Sequence, residues 1–315
     1  MKNCFKKYPY ITSVIVILII ILAWFHLITD GEYGITLFLT IPGTIGLIWG
    51  YNTEYDKNHA SKKIALNLFL VLLGLSAVSG LLIMIGAEGA ICILMAMPFI
   101  FIPLYVMFLI GMIAGYYDRK KTLNSILIFI FFVNPASYIF DSYIKPIQDT
   151  VTTEIIVNSS QENVWKLLSS EILFNDPEFI LFEKGVSYPK SIELINTNGK
   201  MMYQCKTNND KINLNIDEFV KNKTVKFSLA NQTVPMKEMT PYEDIDAKHL
   251  HDYFIVDYGQ ISLEKITENK TKIIAKTQYS YRIAPKWYWK KWSNYILDRM
   301  QYQVLNSIKT QSEND

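Results

Sequence analysis

The sequence has few charged residues and few cysteines, and these two shortages exclude several classes of protein. Charged residues make up 19% of the 315 residues, and the formal net charge is only +2. A nucleic-acid-binding protein usually carries a clear excess of basic residues, so nucleic acid is not a predicted partner. The three cysteines, Cys4, Cys92 and Cys205, lie far apart. Their spacing matches neither a disulfide framework nor the close cysteine pairs of a zinc site.

Motifs that carry well-known chemistry are also missing. The sequence has no glycine-rich phosphate-binding loop, no nucleophile elbow and no HExxH motif. His249, His251 and Asp252 form the one local group of acid–base residues, in a polar stretch that is typical of a solvated loop. The two histidines could hold a metal, but the further ligands are not evident. The sequence therefore predicts no catalytic residue, metal or cofactor, and it favours binding while leaving enzyme activity open.

The charges that are present differ between the two halves of the chain. Residues 1–149 contain ten Lys+Arg and eight Asp+Glu, and the remaining residues contain 21 of each. In the first half the charges form short clusters between long apolar runs. A run of about 18 or more apolar residues is typical of a membrane-spanning helix. Five such runs are present: 11–28, 34–51, 64–85, 89–116 and 123–140.

Two of these runs contain residues that are unusual in a helix. Pro98 and Pro103 interrupt the fourth run. Such prolines are tolerated in a membrane helix because neighbouring helices can pair with the carbonyl groups that they free. Asn134 and Pro135 lie in the middle of the fifth, the weakest of the five. The first run has the basic start of a signal peptide, but no cleavage site follows it, so an uncleaved helix is favoured. Residues 1–145 are therefore predicted to form an α-helical transmembrane domain of about five helices.

Basic residues between the runs predict the topology, because Lys and Arg accumulate on the cytoplasmic side of a membrane. The amino terminus and the second and fourth loops contain basic residues, whereas the first and third loops contain only acidic ones. This alternation predicts a multi-pass protein of the cytoplasmic membrane with its amino terminus inside. If the fifth run spans, the rest of the chain is extracytoplasmic, which we favour. If it does not, the rest is cytoplasmic.

The second half has the pattern of a water-soluble α+β domain. An alternating, β-branched segment at 152–157 is followed by a capping box from Ser159 to Glu162, which predicts a helix. Alternating segments separated by turn signals, such as Asn-Gly at 198–199, predict an antiparallel meander. A long helix is predicted from Pro285 to about residue 309. The residues predicted on its inner face are Trp292, Ile296, Met300, Val304 and Ile308. Trp289 is predicted at the open end of this face, near the start of the helix.

This half resembles the START-like, or helix-grip, superfamily, in particular SRPBCC or polyketide-cyclase-type domains. The similarity is carried by the strand ending Thr277-Gln278-Tyr279, by the residues around Pro285 and Trp292, and by 199–205 (GKMMYQC). It covers residues 150–312 and concerns a fold rather than a reaction. The resemblance implies an antiparallel sheet wrapped on a long carboxy-terminal helix, with a cavity for a lipid or another hydrophobic ligand.

The resemblance and the alternating strand pattern together suggest which residues contact the ligand. These candidates are Tyr203, Phe219, Phe227, Tyr253, Tyr279, Trp289, Trp292, Ile296 and Met300. Core packing is the alternative for each of them. The aromatic residues of the helix could instead meet the membrane interface, where Trp and Tyr gather beside Lys.

The sequence as a whole predicts a membrane-anchored protein that binds a lipid or another hydrophobic molecule without catalysis. Its predicted partners are the lipid bilayer and that molecule, and the sequence identifies no protein partner. Two alternatives stay open. One is a cyclase or hydrolase that acts on a hydrophobic substrate in the same cavity. The other is a structural or sensory membrane protein whose soluble domain binds another protein.

Overall fold

A computed structural model of the chain describes residues 9–30, 33–53, 60–117, 119–197, 199–237, 239–242 and 253–314. The chain divides into two compact units. The helical unit comprises Met1–Ile144 and Met239–His249, and the sheet unit comprises Lys145–Glu238 and Leu250–Asp315.

The long apolar runs of the helical unit form helices. A helix pairs backbone N–H and C=O groups within its own segment, which is required where no water can pair with them. In chain order they are α1 (Pro9–Asp30), a π-helical segment (Thr36–Thr40), α2 (Ile41–Asn52), α3 (Ala60–Met84), α4 (Ala90–Tyr117) and α5 (Arg119–Ser142). Among the described residues, two helices are long and apolar enough to cross a membrane, over Ser61–Met84 and Ala90–Tyr117.

The structure thus supports two candidate membrane helices, not the five that hydropathy predicts. The second run is divided between the π-helical segment and α2, which has only 12 residues. The first and fifth runs provide shorter apolar stretches, Leu18–Ile28 and Ile128–Ser142. Nine residues of α2 are buried by other parts of the unit. Hydropathy alone cannot separate a helix that faces lipid from one that faces protein, and this explains the difference at α2.

Glycines allow α2 and α4 to pack backbone against backbone. A Cβ atom added at Gly50 would lie 1.9 Å from the carbonyl oxygen of Phe108 on α4. A Cβ atom added at Gly111 would lie 2.2 Å from the carbonyl oxygen of Leu47 on α2. The contact is reciprocal, since each helix presents glycines to carbonyl groups of the other. Small residues at such contacts are common between membrane helices, where close packing replaces the hydrophobic effect.

Two buried carboxylates join segments at one end of the helical unit. Asp141, at the end of α5, accepts hydrogen bonds of 2.8 Å from the backbone N–H groups of Ile35 and Thr36. These groups open a helical segment and have no partner within it. The Tyr33 hydroxyl donates to Glu88 in the turn between α3 and α4. The end of α5, the start of the π-helical segment and the α3–α4 turn therefore lie at the same end of the unit.

The sheet unit is built on one eight-stranded antiparallel sheet. Its elements are β1 (Ile147–Val157), α6 (Gln161–Leu168), β2 (Ile172–Leu173), α7 (Ile180–Glu183), β3 (Pro189–Thr197), β4 (Lys200–Thr207), β5 (Lys211–Val220), β6 (Thr224–Leu229), β7 (Phe254–Thr267), β8 (Lys270–Tyr281) and α8 (Lys286–Asn314). The strand order is β1-β8-β7-β6-β5-β4-β3-β2. A curled antiparallel sheet that holds a carboxy-terminal helix is a helix-grip domain, as the sequence predicts.

Local signals place most of these elements correctly. The β3–β4 hairpin forms as predicted, and Gly199 has a φ of +81°, which favours glycine; Asn198 lies outside the described residues. The cap of α6 is one residue later than predicted, because the Ser160 side chain accepts the N–H of Asn163 at 3.2 Å. The Ser159 carbonyl instead accepts a hydrogen bond from the buried Thr271 hydroxyl at 2.8 Å.

The face that α8 turns toward the sheet differs from the predicted one. Its buried residues are Trp289, Leu297, Gln301, Leu305, Ser307, Ile308 and Ser312. The predicted residues recur every four positions, and each such step advances about 40° beyond a full turn. Trp292 and Ile308 are therefore about 160° apart around the helix. The predicted stripe meets the buried face at Ile308, and Met300 and Val304 line the cavity beside it, but Trp292 is partly buried and lines no cavity among the described residues.

The α2–α4 contact yields a first prediction. Gly50→Ala should lower the stability of the full chain by about 1–3 kcal/mol, because the added methyl group overlaps the Phe108 carbonyl and forces the helices apart. Thermal unfolding in detergent, followed by tryptophan fluorescence, would measure the effect. Gly80→Ala on α3 is the matched control, since a Cβ atom there meets nothing within 4 Å. Equal melting temperatures for the two variants would contradict the role given to this contact.

Candidate ligand-binding cavity

An apolar cavity of about 260 Å³ lies between the sheet and α8. Its wall on the sheet side comes mainly from the concave faces of β4, β5 and β6, and the middle of α8, from Leu297 to Ile308, provides the opposite side. The residues that define these two sides are Tyr203, Cys205, Leu214, Val225, Phe227, Leu297, Met300 and Val304. Every one of them is apolar or has its polar group buried, so the cavity suits an apolar occupant.

The cavity exists because the packing of the sheet unit is uneven along α8. Near the end of the helix, Leu305 and Ile308 pack with Trp165 of α6 and Ile273 of β8 in a dense core. Around Leu297 and Met300, no helix among the described residues fills the space between α8 and β4–β6. Gly259 on β7 leaves room for the ring of Phe227, because a Cβ atom there would lie 2.5 Å from that ring.

A short segment borders the mouth of the cavity, and we name residues 232–237 the strap. The strap pairs with the loop before β3: the N–H of Ser187 donates to the Pro235 carbonyl at 2.9 Å, and the N–H of Lys237 donates to the Gly185 carbonyl at 2.8 Å. On the other side, the Gln232 amide donates to the Val256 carbonyl at 3.0 Å. The strap is therefore held to the sheet from both sides of the mouth.

The polar groups inside the cavity are neutral and bonded to the protein. The Tyr203 hydroxyl donates to the Leu168 carbonyl at 2.8 Å. Burial raises the pKa of Tyr203 and that of Cys205 to about 12 each, so both stay protonated at physiological pH. The Gln301 amide donates to the Thr277 hydroxyl at 2.8 Å and to the Val151 carbonyl at 3.2 Å.

Three of the nine predicted ligand contacts line the cavity: Tyr203, Phe227 and Met300. The other six have different environments. Phe219 packs on Trp165 with ring centroids 4.9 Å apart. Tyr279 is fully buried beside α8, and the indole N–H of Trp289 donates to a backbone carbonyl.

Of the remaining candidates, Tyr253 and Ile296 are each next in sequence to a residue that lines the cavity, whereas Trp292 lies before the first lining residue of α8, Leu297. A bulge in β7 between Val256 and Tyr258 explains the first case. Because a one-residue offset in a strand exchanges its two faces, Phe254 faces the cavity where regular alternation would select Tyr253. On α8, Leu297 lines the cavity and Ile296 does not, which is the same one-residue shift around the helix.

A second polar cluster ties the start of β1 to the start of α8, outside the lining of the cavity. Lys290 forms an ion pair with Asp149 at 3.0 Å, and the Tyr279 hydroxyl donates to Asn294. Burial alone would raise the pKa of Asp149, but hydrogen bonds from Lys290, the Thr150 N–H and Asn294 together lower it below its usual value. Burial and the nearby Asp149 raise the pKa of Tyr279. The cluster therefore acts as a structural link between strand and helix.

No group of three metal-ligating side chains occurs in the part of the chain that the structure describes. The predicted acid–base residues His249, His251 and Asp252 lie outside that part. Among the described residues, the sheet unit offers a ligand an apolar surface of defined shape at the cavity.

No protein-family model matches the sequence, and no curated protein matches it. Solved structures similar to the chain include an uncharacterised protein from Bacillus thuringiensis, at 14% identity over 53% of this chain and 100% of that chain, with a TM-score of 0.34. Another is a conserved protein from Geobacillus kaustophilus (14% identity, 53% and 96% covered, TM-score 0.33). Norcoclaurine synthase from Thalictrum flavum, in complex with dopamine and hydroxybenzaldehyde, has 12% identity, 53% and 87% covered, and a TM-score of 0.33. The helix-grip assignment rests on the strand order and on α8 themselves.

The Asp149 cluster yields a prediction on pH. Because the folded pKa of Asp149 is lowered, its contribution to stability is present above the ordinary pKa of about 4 and is lost as pH falls through the lowered value. Asp149→Asn should therefore lower stability at pH 7 by about 0.5–1 kcal/mol, a modest value because Lys290 is about half exposed. Thermal unfolding from pH 7 to pH 3 would show the two proteins converging. The exposed Asp176→Asn is the control and should have no effect at pH 7; an equal loss there would contradict the link.

Proposed function

We propose that the chain is a membrane-anchored binding protein, whose helical unit holds it in the cytoplasmic membrane and whose helix-grip cavity binds a lipid or another hydrophobic molecule. The apolar cavity between the sheet and α8 is the observation that supports this proposal most. Burial of apolar ligand surface provides about 25 cal/mol per Å² before the costs of association. Attachment to a membrane also raises the local concentration of any ligand that dissolves in the bilayer.

The lining of the cavity favours binding over catalysis. General acid–base chemistry needs a carboxylate, histidine or similar group within hydrogen-bond reach of the substrate. None of the described residues that line the cavity is Asp, Glu or His. The hydroxyl of Tyr203 is already bonded to a backbone carbonyl, and its raised pKa makes it a poor base.

We further propose that α5 crosses the membrane and that the sheet unit is extracytoplasmic. Twenty-four residues of α-helix span about 36 Å, more than the roughly 30 Å of a bilayer core. The helix starts with the basic sequence Arg119-Lys120-Lys121. Asp141, near its other end, accepts hydrogen bonds from Ile35 and Thr36, at the end of the unit where Tyr33 donates to the acidic Glu88. The rule that basic loops stay inside therefore supports an extracytoplasmic start for the sheet unit at Lys145.

Labelling in intact cells tests this topology. Thr310, an exposed residue of α8, and Lys120, in the basic sequence at the start of α5, are each replaced by cysteine in a chain without native thiols. We expect a membrane-impermeant maleimide to label position 310 and not position 120, because only the former would be outside. Lysed cells are the control, in which both positions should react. Protection of position 310 in intact cells would place the sheet unit in the cytoplasm.

Filling the cavity tests the binding function. Met300→Trp places a larger side chain at a lining position. We therefore expect the amount of a hydrophobic compound that co-purifies with the full chain to fall at least tenfold. Extraction with organic solvent and mass spectrometry would measure the amount per protein. Tyr302→Trp is the matched control, because Tyr302 lies on the same helix but is 52% exposed. Equal recovery of every compound from the wild type and both folded variants would mean that they come from lipid around the helices, and the binding proposal would fail.

A further inference from the structure

The size of the cavity limits what it can hold, and this inference rests on the proposed binding function. An engineered apolar cavity of about 150 Å³ stays dry and binds benzene, a molecule of six carbon atoms. By that proportion, 260 Å³ corresponds to about ten non-hydrogen atoms. The cavity is thus too small for a phospholipid and suits a compact molecule or one medium-length chain.

The interior of the cavity offers no charge to an occupant. Lys276 is the one Lys, Arg, Asp, Glu or His among the described lining residues. It lies on β8 between Ala275 and Thr277 and opposite Gln260 of β7. Because side chains alternate along a strand, Lys276 belongs to the face of the sheet opposite to Ala275, whose buried side chain is in the core. Its contribution to the lining is therefore from the backbone.

The described lining residues at the mouth of the cavity are neutral as well, and the one charged residue of the strap, Lys237, is not among the lining residues. Ser187, Gln232 and Thr233 border it, and none of them carries a charge. The Gln232 amide is bonded to the backbone of Val256 on β7, and the Ser187 hydroxyl accepts a hydrogen bond of 2.9 Å from Asn209. An ionised head group at the mouth would therefore find no oppositely charged lining residue among those described.

Deeper polar groups are satisfied by the protein. Tyr203 donates to Leu168, and the Gln301 amide is bonded to Val151 and Thr277. An occupant that needed strong hydrogen bonds would have to break these contacts. Transfer of an unpaired charge into such surroundings is far more costly than transfer of an apolar group.

We propose that the ligand is an uncharged aliphatic or aromatic molecule of about ten non-hydrogen atoms, and that the cavity selects against fatty-acid anions and cationic amphiphiles. The selection comes from the lack of charged side chains that face the cavity among the described lining residues, rather than from a specific contact. A charged analogue of the same length should bind at least about tenfold more weakly than the neutral one.

Three photoreactive probes test this selection: decan-1-ol, decane-1-sulfonate and decyltrimethylammonium, each with a diazirine at the same mid-chain carbon. The full chain is labelled in phosphatidylcholine vesicles, and the labelled peptides are identified by mass spectrometry. Labelling of β4–β7 is divided by labelling of α3, which corrects for the different partitioning of each probe into the bilayer. The folded Met300→Trp variant shows the background at β4–β7.

We expect the normalised labelling of β4–β7 by the alcohol to exceed that by either charged probe at least tenfold, and to fall to background in Met300→Trp. Equal or stronger labelling by a charged probe would overturn the inference of a neutral ligand and leave the binding function standing. Labelling of α3 by all three probes with none above background at β4–β7 would overturn the proposed binding function together with this inference.

Discussion

The buried amide of Gln301 fixes the position of α8 on the sheet, and the rest of the sheet unit depends on that position. Its nitrogen donates to the Val151 carbonyl and the Thr277 hydroxyl, while its oxygen accepts a 2.7 Å hydrogen bond from the Thr153 hydroxyl. A buried amide without partners costs about 1–3 kcal/mol, so other rotations or shifts of the helix are disfavoured. With this one residue in place, Leu305 enters the core and Leu297 faces the cavity.

The order of elements in the sheet unit could be predicted from the sequence, because alternation, turn residues and the proline before α8 are local signals. The faces could be predicted only in part. The β7 bulge exchanges the faces before Tyr258, and no local signal in the sequence marks it. On α8, a stripe of large apolar residues draws attention to Trp292, whereas the polar Gln301 is the residue that the sheet selects. A buried polar residue is recognisable only when its partners on other strands are known.

The helical unit shows the opposite balance between local signal and tertiary contact. Its long apolar runs are evident, and the four-residue spacing of Gly46 with Gly50 and of Gly111 with Gly115 is visible in the sequence. The pairing of these glycines across α2 and α4 depends on the fold, as does the bond from Asp141 to the N–H groups of the π-helical segment. Backbone contacts of this kind leave no hydropathy signal, and hydropathy predicts about five spanning helices where the described residues support two candidates.

The cavity and the proposed membrane anchor would favour the same kind of molecule for the same physical reason. A molecule crosses or enters a bilayer core easily only when it is uncharged, because a buried ion has lost its hydration. A cavity whose described lining is apolar, neutral and internally hydrogen-bonded applies that criterion again. Under the proposed function, a ligand that meets both criteria is concentrated by the bilayer and then retained according to its size, since a whole phospholipid is larger than about 260 Å³. Selection by volume and charge therefore needs no polar recognition site, which agrees with the paired state of Tyr203 and Gln301.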